Sequence, residues 1–437
     1  MNRFPVLGVL RVIGALAALG TLAGRPSPLH AQDTTRVELR VLYNNPKLRP
    51  SLVVLPAPGL DSVRAIVERD LDFSDRYELV PLPGPMDPPG ANGVNWGPYR
   101  AMNVVLAVDL QKSGDRVLVR LWGVTSGQIQ QQTTMPVDQA GTGEGRLGIH
   151  QISDEIVRWT SGSPGIAASR LLYISDNRVW RVDSDGYGNA PLSPANRTAY
   201  SPAWAPDGRR FAFTEYQEGK WVIVLQTFGT GTRTIFPTTA TTVNITPAFS
   251  PDGTRLAFSR IGTDRSYAIH QANVPDLCCV ERLTVTRFAE SLQPTYSPDG
   301  RRIAFTTTRA GAPQIYVMSN DGTDQELLVP YQYGVDGPSF APEWSPDGTT
   351  LAFHRETGGT FQVMTFNLAT EKVRQVTSEG RNEDPSWAPD GRHLVFVSNR
   401  SGRGQLHVID LETSRVRVLR TPGTAQLPAW SRRLGGS

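Results

Sequence analysis

The chain has 437 residues, a formal net charge of +3 and two cysteines. This length exceeds what one ordinary hydrophobic core needs, so we expect two domains unless a repeat architecture absorbs the extra residues. The first 31 residues hold three arginines and no acidic residue, so the rest of the chain is formally neutral, which favours neither nucleic acid nor an anionic membrane as partner.

Residues 1–31 have the pattern of a signal peptide. Arg3 and Arg11 precede an apolar run from Val12 to Ala23, and a polar stretch follows that ends in PLHAQ. The run of 12 residues is too short to span a bilayer comfortably. We expect export and cleavage after Ala31, with Ala23 as the alternative site; retention in the membrane is the competing interpretation.

Residues 32–162 have the mixed pattern of a small α/β domain. The predicted strands are, in chain order, 36–43, 51–56, 77–82, 103–110, 116–124 and 128–137. Helices are predicted at 61–74, capped by Asp61, and at 146–162. The side chains expected to face the sheet are Val63, Ile66, Val67 and Leu71 in the first helix and Leu147, Ile152, Ile156 and Trp159 in the second. The predicted domain has two helices on a mixed, mostly antiparallel sheet.

A repeated motif dominates residues 163–437, after a short linker, SGSPG. The sequence P-x-aromatic-S/A-P-D-G starts at 202, 247, 294, 342 and 385, and a sixth copy at 428, PAWSRRL, lacks the turn. The starts are 43 to 48 residues apart, and strands with period-2 patterns follow them. A repeat of this length without helical periodicity predicts propeller blades of four strands.

The number of strand pairs explains the altered last copy. The chain has six motif copies and six strand pairs, but the two series are offset by one. Residues 170–183 form a strand pair with no motif before it, and the last motif has no strand pair after it. We predict that Leu427–Ser431 crosses the seam as the inner strand of the first blade and closes a six-bladed ring. In each turn, proline presets φ, aspartate bonds the local backbone and glycine adopts a left-handed conformation. The aromatic residue before each turn is expected to fill the gap between blades.

Signatures of catalysis are missing from the sequence. It contains no G-x-S-x-G elbow, no H-E-x-x-H and no Walker phosphate loop. Glu343, Glu383 and Asp384 could face the channel, where the expected role of these side chains is to form a polar lining. The alternative is that they are catalytic carboxylates and that the protein is a propeller hydrolase of glycans or peptides. His270, His354, His393 and His407 lie on strands after the turns, where packing is the expected role.

No metal or cofactor is predicted, because six histidines and two cysteines show no metal-ligand spacing. Cys278 and Cys279 are neighbours, and we interpret them as packing residues that can oxidise after export.

The order of these features resembles the TolB family of the Tol-Pal envelope system of Gram-negative bacteria. An exported α/β domain, SRLLYIS opening the first blade, DSDGYG at 183, five complete turns and a terminal LPAWS follow the family's order. The resemblance implies a periplasmic, non-enzymatic and monomeric adaptor for outer-membrane integrity and cell division. Its propeller would bind a Pal-like peptidoglycan-associated lipoprotein, and its N-terminal domain a TolA-like protein.

The resemblance also implies a partner-binding surface where the chain enters the inner strands. The corresponding residues are Tyr200, Ser201, Asn244, Ile245, Thr246, Ser291, Leu292, Gln293, Glu383 and Asp384. This chain has Val243 where the family carries a histidine, and Leu292–Gln293 where it carries a Thr-Glu pair. We therefore expect partner recognition to have shifted. Residues 33–45 correspond to the family's regulatory start, although residues 44–51, NNPKLRPS, differ from the usual family sequence.

Overall fold

A computed structural model gives the conformation of most of the chain. It describes residues 49–84, 86, 93–137, 143–239, 242–261, 265–274, 276–285, 288–332, 334 and 336–435. The expected signal peptide, the segment 33–45 and the strand predicted at 36–43 lie outside the described residues. Within the described ranges, no helix is both long and apolar enough to cross a membrane.

A five-stranded sheet forms the core of the N-terminal region. Its strands are β1 (Ser51–Val54), β2 (Glu78–Leu79), β3 (Leu106–Ser113), β4 (Arg116–Gly123) and β5 (Gln128–Pro136). The helices are α1 (Asp61–Phe73), α2 (Gly97–Ala101) and α3 (Gly143–Ser161). The strand order is β2-β1-β3-β4-β5; β1 runs parallel to both of its neighbours, and the β3–β4 and β4–β5 pairs are antiparallel. The mixed sheet predicted from the sequence is confirmed.

Helices α1 and α3 share one hydrophobic core with the sheet. In α1 the predicted stripe is buried; in α3 Ile152 and Ile156 are buried, whereas Leu147 and Trp159 are half-buried. The prediction for Asp61 is wrong: it is the first helical residue, and Leu60 occupies the cap position without a side-chain bond. Helix α3 begins earlier than predicted, at Gly143, so that Gly143 and Gly145 lie in its first turn in spite of the low helix propensity of glycine. The short α2 was not predicted.

The remaining described residues form six four-stranded antiparallel sheets, the blades of a propeller. Blade 1 consists of β6 (Arg170–Ser175), β7 (Arg178–Asp183), β8 (Ala190–Pro191) and β29 (Gln426–Trp430). Blade 2 consists of β9 (Ala199–Trp204), β10 (Arg210–Gln217), β11 (Lys220–Thr227) and β12 (Arg233–Ile235). Blade 3 consists of β13 (Val243–Phe249), β14 (Arg255–Ile261), β15 (Tyr267–Asn273) and β16 (Glu281–Arg282).

In blades 2 to 6 the strands follow chain order from the inner to the outer edge, whereas blade 1 has the order β29-β6-β7-β8. Blade 4 consists of β17 (Ser291–Tyr296), β18 (Arg302–Thr307), β19 (Gln314–Ser319) and β20 (Glu326–Leu327). Blade 5 consists of β21 (Ser339–Trp344), β22 (Thr350–Thr357), β23 (Thr360–Asn367) and β24 (Lys372–Gln375). Blade 6 consists of β25 (Asn382–Trp387), β26 (His393–Ser398), β27 (Gln405–Asp410) and β28 (Val416–Leu419).

The ring closes as the sequence predicts, because the C-terminal strand β29 pairs with β6. Ala429 lies opposite Leu172 and Trp430 opposite Leu171. The indole of Trp430 packs in a core shared by blades 1 and 6, and its Nε1 donates a hydrogen bond to Ser169 Oγ at 2.8 Å. The other motif aromatics pack in equivalent seams, so their predicted role is confirmed.

The turns also interlock from one blade to the next. The five turn glycines have φ between 63° and 72°, as predicted. A Cβ added to Gly253 would lie 3.1 Å from Pro206 of the preceding turn, and Gly300, Gly348 and Gly391 face the preceding proline in the same way. At Gly208 the neighbour is Leu434 instead. Leu434 of the altered sixth motif therefore takes the place that the turn proline has between the other blades.

Buried ion pairs join the N-terminal sheet domain to blade 6. Asp75, just after α1, is buried and accepts hydrogen bonds from Arg415 at 3.0 Å and Arg417 at 3.2 Å. His393, at the start of β26, places Nε2 3.3 Å from Asp75 and Nδ1 2.8 Å from Asp390. The packing role predicted for His393 is therefore incomplete, since its ring lies between two carboxylates. Burial tends to lower the pKa of His393, but Asp390 and Asp75 outweigh it and raise the pKa.

A second set of charged contacts joins α1 and α3 to blade 1. Asp70 accepts from Ser153 at 2.7 Å and lies 2.8 Å from His150 Nδ1, and Asp185 of blade 1 pairs with Arg146. Asp154 of α3 accepts the backbone N–H groups of Ala167 and Ala168 at 2.8 and 3.1 Å. These contacts lie at the ends of blades 6 and 1 that carry the turns.

Trp430→Ala is expected to lower the free energy of unfolding by about 3–5 kcal/mol, because the indole fills the seam between blades 1 and 6. The substitution should also loosen β29, because the other strands of blade 1 are far from β29 in sequence. Limited trypsin digestion should then cleave rapidly at exposed Arg420. Trp344→Ala, in the seam of blades 4 and 5, is the matched control and should cost similar stability without rapid cleavage at Arg420. Equal cleavage in both variants would contradict the special role of the closing strand.

His393→Gln is expected to lower the free energy of unfolding by about 3–5 kcal/mol near pH 6, because it removes the cation that lies 2.8 Å from buried Asp390 and one of the cations around Asp75. A raised histidine pKa stabilises the fold fully below the ordinary value of about 6.5, and this contribution is lost as the pH rises through the folded value. The stability difference between wild type and variant, measured by urea unfolding, should therefore shrink at alkaline pH.

His407→Gln provides the control on the same blade. Burial lowers the pKa of His407, so the wild-type advantage over this variant should grow, not shrink, as the pH rises from 4 towards about 6.5. A difference between wild type and His393→Gln that does not change with pH would contradict a charged His393.

Candidate partner-binding site at the channel mouth

The candidate site lies where the six inner strands begin. These strands, β9, β13, β17, β21, β25 and β29, each contact the equivalent strand of the next blade and so line a central channel. Each inner strand ends at the turn end of the propeller. We call the opposite end, where the inner strands start, the mouth.

Every inner strand carries the same backbone irregularity near the mouth. The residue before the motif proline has a left-handed φ of 48° to 54°, and none of the six is glycine: Ser201, Thr246, Gln293, Ala341, Asp384 and Leu427. The pairing register shifts at each of these positions, as in a β-bulge. Proline has no N–H to donate to the neighbouring strand, and the bulge places it where the ladder needs no donor. Each left-handed residue costs about 1–2 kcal/mol.

Hydrogen bonds from these bulges join neighbouring blades. The N–H of Thr246 donates to Thr214 Oγ1 of blade 2 at 3.1 Å, and the N–H of Ala341 donates to Gln293 Oε1 of blade 4 at 3.0 Å. The N–H of Asp384 donates to His354 Nδ1 of blade 5 at 3.1 Å, and the Asp384 carboxylate accepts from the N–H of Leu427. Four of the six left-handed residues are therefore held by the adjacent blade, which makes the mouth rigid.

The residues implied by the family resemblance lie on the inner strands of four blades. Eight of the ten are half-buried around the mouth: Tyr200, Ser201, Ile245, Thr246, Leu292, Gln293, Glu383 and Asp384. Asn244 and Ser291 are fully buried. Asn244 accepts from Arg260 Nε at 2.7 Å, and Ser291 donates to Thr307 Oγ1 at 3.2 Å. These two side chains therefore support the mouth and do not face it.

Two acidic side chains in the channel have strongly raised pKa values. Burial raises the pKa of Glu343 to about 7, although its Oε1 accepts hydrogen bonds from Ser386 Oγ at 3.0 Å and from the N–H of Trp387 at 3.1 Å. Burial, with the charge of Glu383, raises the pKa of Asp384 to about 7. Both groups are therefore partly protonated at neutral pH.

The histidine at the mouth is neutral. Burial lowers the pKa of His354 to about 4. Its Nδ1 lies 3.8 Å from a carboxylate oxygen of Asp384, but Nδ1 accepts the Asp384 N–H and so carries no proton. Its ring packs on Phe340 and Phe361, which confirms the predicted packing role, and His270 and His407 stack similarly on Phe258 and Phe396.

The three acids considered for hydrolysis are each committed to a structural partner. Glu343 bonds to blade 6, Asp384 accepts from Leu427, and Glu383 pairs with Arg381 through contacts of 2.6 and 2.8 Å. A glycosidase needs one carboxylic acid and one carboxylate directed at the same substrate bond. The geometry favours channel-lining roles over this arrangement.

Aromatic clusters at the mouth were missed by the sequence analysis. On blade 2, Trp221 packs against Tyr200 and Tyr216, with ring centroids 5.5 and 5.1 Å apart, and Tyr216 is 45% exposed. The ring of Phe361 on blade 5 contacts Arg381, which precedes β25 of blade 6; the guanidinium carbon lies 4.8 Å from the ring centre. Tyrosine, tryptophan and arginine are enriched at protein interfaces. The signal was available, since Tyr216 and Trp221 flank a two-residue hairpin turn whose strands run to the mouth.

Among the residues that the structure describes, two buried groups bring three potential metal ligands together: Asp70, His150 and Asp185, and Asp75, His393 and Asp410. Both lie at the interface of the N-terminal sheet domain and the propeller. Arg146 already pairs with Asp185, and Arg415 and Arg392 pair with Asp75 and Asp410. These clusters fit ion-pair networks better than metal centres.

Glu343→Gln is expected to change the pH dependence of stability. A carboxyl group whose pKa rises from 4.5 to about 7 on folding stabilises the fold below pH 4.5, and this contribution is lost as the pH rises to 7 and above. Glutamine keeps the acceptor for Ser386 and Trp387 but cannot ionise. The stability of the variant relative to wild type should therefore rise by about 3 kcal/mol between pH 4.5 and 8.5 in urea unfolding.

Asp252→Asn is the matched control, because the side chains of Ser250 and Thr254 and the local backbone lower the pKa of Asp252. Loss of the Asp252 carboxylate should lower the free energy of unfolding at neutral pH and have less effect at acid pH. A relative stability of Glu343→Gln that is constant between pH 4.5 and 8.5 would show that Glu343 does not titrate with a raised pKa.

Comparison with known proteins identifies the family to which most of the chain is similar. Residues 159–434 match the family model described as the TolB beta propeller domain. The Tol-Pal system protein TolB of Methylococcus capsulatus is 32% identical over 186 residues, which cover 40% of this chain and 43% of that protein. The protein of the same name from Methylobacillus flagellatus is 30% identical over 185 residues, 40% and 42% of the two chains. This chain thus spans less than half the length of these curated relatives.

A solved structure extends the likeness to the whole fold. The crystal structure of TolB from Acinetobacter baumannii superposes with a TM-score of 0.76 at 24% identity, covering 88% of this chain and 96% of that one. It therefore shares both the N-terminal α/β region and the six-bladed propeller. Since the family model covers well over half of the sequence, this chain belongs to the TolB beta propeller family.

Proposed function

We propose that this protein is the TolB component of a Tol-Pal system: a periplasmic, monomeric adaptor without enzymatic activity. Family membership and the shared two-part fold support this role. Its propeller would bind a Pal-like peptidoglycan-associated lipoprotein, and its N-terminal domain a TolA-like protein of the inner membrane. The assembly would serve outer-membrane integrity and cell division.

The observation that carries the docking proposal is the rigid, bulged ring of inner strands at the mouth. Six left-handed residues surround it, and bonds between blades hold at least four of them in place. A surface ordered before binding loses little conformational entropy when a partner docks, so more of the contact energy appears as affinity. The exposed part of Tyr216 and the Arg381–Glu383 pair supply aromatic and polar contacts of the kind that protein interfaces use.

The arrangement of the two regions suits two partners at once. The ion pairs of Asp75 and Asp185 hold the N-terminal sheet domain at the turn end of blades 6 and 1. The mouth lies at the other end of the same inner strands. A partner at the mouth and a partner on the N-terminal domain would therefore not compete for space.

The variant Thr246→Arg/Gln293→Arg tests the docking face. Both side chains are half-buried at the mouth, and two added arginines would obstruct it sterically and change its charge. In a pull-down from solubilised envelope of the source organism, the wild-type protein should recover a Pal-like lipoprotein, and the double variant should recover at least about tenfold less, equivalent to about 1.4 kcal/mol.

The control carries the same two changes far from the mouth. Thr370→Arg/Gln375→Arg alters exposed residues at the outer edge of blade 5 and should recover as much lipoprotein as the wild type. Circular dichroism should show that both double variants remain folded. Equal recovery by all three proteins would contradict docking at the mouth, and recovery of no lipoprotein by the wild type would contradict the proposed function.

A further inference from the structure

The loop between β15 and β16 on blade 3 carries both cysteines of the chain. Both are free thiols; Cys279 is exposed and Cys278 is half-buried. The loop is anchored at its start and at Cys278, since the N–H of Asn273 donates to the carbonyl of Cys278 at 3.0 Å and the N–H of Val274 donates to Thr254 O at 2.8 Å. Thr254 follows the turn of blade 3, so the cysteines lie at the turn end, away from the mouth.

The backbone of this loop is bent at the two cysteines. In an extended strand, neighbouring side chains point to opposite faces, and two adjacent thiols would not meet. Here the chain leaves the extended conformation, with φ of 48° at Leu277 and 60° at Cys279. The two thiols can therefore lie on the same side of the chain, and the neighbouring Cys279 thiol raises the pKa of Cys278.

We propose that Cys278 and Cys279 form a reversible vicinal disulfide by exchange with a low-molecular-weight disulfide. One cysteine thiolate attacks a sulfur of that disulfide, which forms a mixed disulfide and releases one thiol. The neighbouring thiolate then attacks the cysteine sulfur of the mixed disulfide and releases the second thiol. The protein loses two hydrogen atoms and two S–H bonds, gains one S–S bond, and the small disulfide is reduced to two thiols.

The bond formed in this way is easily reduced. Adjacent Cα atoms are about 3.8 Å apart across a trans peptide, whereas disulfides prefer Cα separations of about 4.4–6.8 Å. This mismatch strains the ring, and strained, exposed disulfides are the labile ones. The pair is therefore suited to reversible modification and not to holding the fold together.

A soft metal ion fits the pair less well. Within the described ranges, neither cysteine belongs to a group of three His, Cys, Asp or Glu ligand atoms close enough to share an ion. Two thiolates alone leave the tetrahedral coordination preferred by zinc incomplete. Disulfide formation needs no third group.

The test uses the full protein, reduced, freed of reductant and incubated with excess glutathione disulfide at pH 8. Free thiols are then blocked with N-ethylmaleimide, and the intact mass is measured. The wild-type protein should lose two hydrogen atoms and carry neither maleimide nor glutathione. Dithiothreitol should restore two reactive thiols. Oxidation should be slower at pH 6 than at pH 8, because less thiolate is present.

The single variants Cys278→Ser and Cys279→Ser are the controls, and each should stop at one glutathione adduct. Wild-type protein that carries two glutathione adducts, keeps both thiols free, or forms disulfide-linked dimers would overturn the proposal. Since the loop lies at the turn end, the oxidised protein should recover the same amount of lipoprotein through its mouth. The outcome at the cysteines is thus independent of the proposed adaptor function.

Discussion

The pairing of the last strand, β29, with β6 is the constraint on which the rest of the propeller depends. Ser431 and Arg170 are 261 residues apart in sequence and directly bonded in the fold. Five of the blades connect their inner strand to the next one by a short turn, whereas blade 1 must capture its inner strand from the far end of the chain. The same tail continues to Leu434 and Arg433, which contact the turn of blade 2 and Asp154 of α3. Ring closure and attachment of the N-terminal domain therefore share residues.

The mouth has a cost in stability that the ring offsets. Six left-handed, non-glycine residues and two acids with raised pKa values surround the channel. Such strain persists where the surrounding structure determines the conformation, and it concentrates at functional sites. Here the neighbouring blade supplies the restraint, for example when Gln293 Oε1 accepts from the N–H of Ala341. A side chain predicted to contact a partner thus also sets the shape of the surface it belongs to.

The sequence predicted the fold well because its signals are local and repeated. The turn motif, its spacing and the unpaired last copy were enough to predict six blades and their closure. What the sequence did not predict is long-range or depends on conformation. The left-handed bulges could have been suspected from the repeated X-Pro step, but the ion pairs of His393 with Asp75 join residues 318 positions apart and follow no local pattern. Burial likewise separated Asn244 and Ser291 from their half-buried neighbours, because alternation along a strand does not show which face meets the adjacent blade.

The central claim is that the mouth, and not the turn end, is the docking face. Photo-crosslinking in the source organism tests it most directly, with a photoreactive amino acid placed at Gln293 or, for comparison, at exposed Glu281 near the turn end. Docking at the mouth should give a crosslink to a Pal-like lipoprotein from position 293 and none from position 281. A crosslink to that lipoprotein from position 281 alone would contradict it.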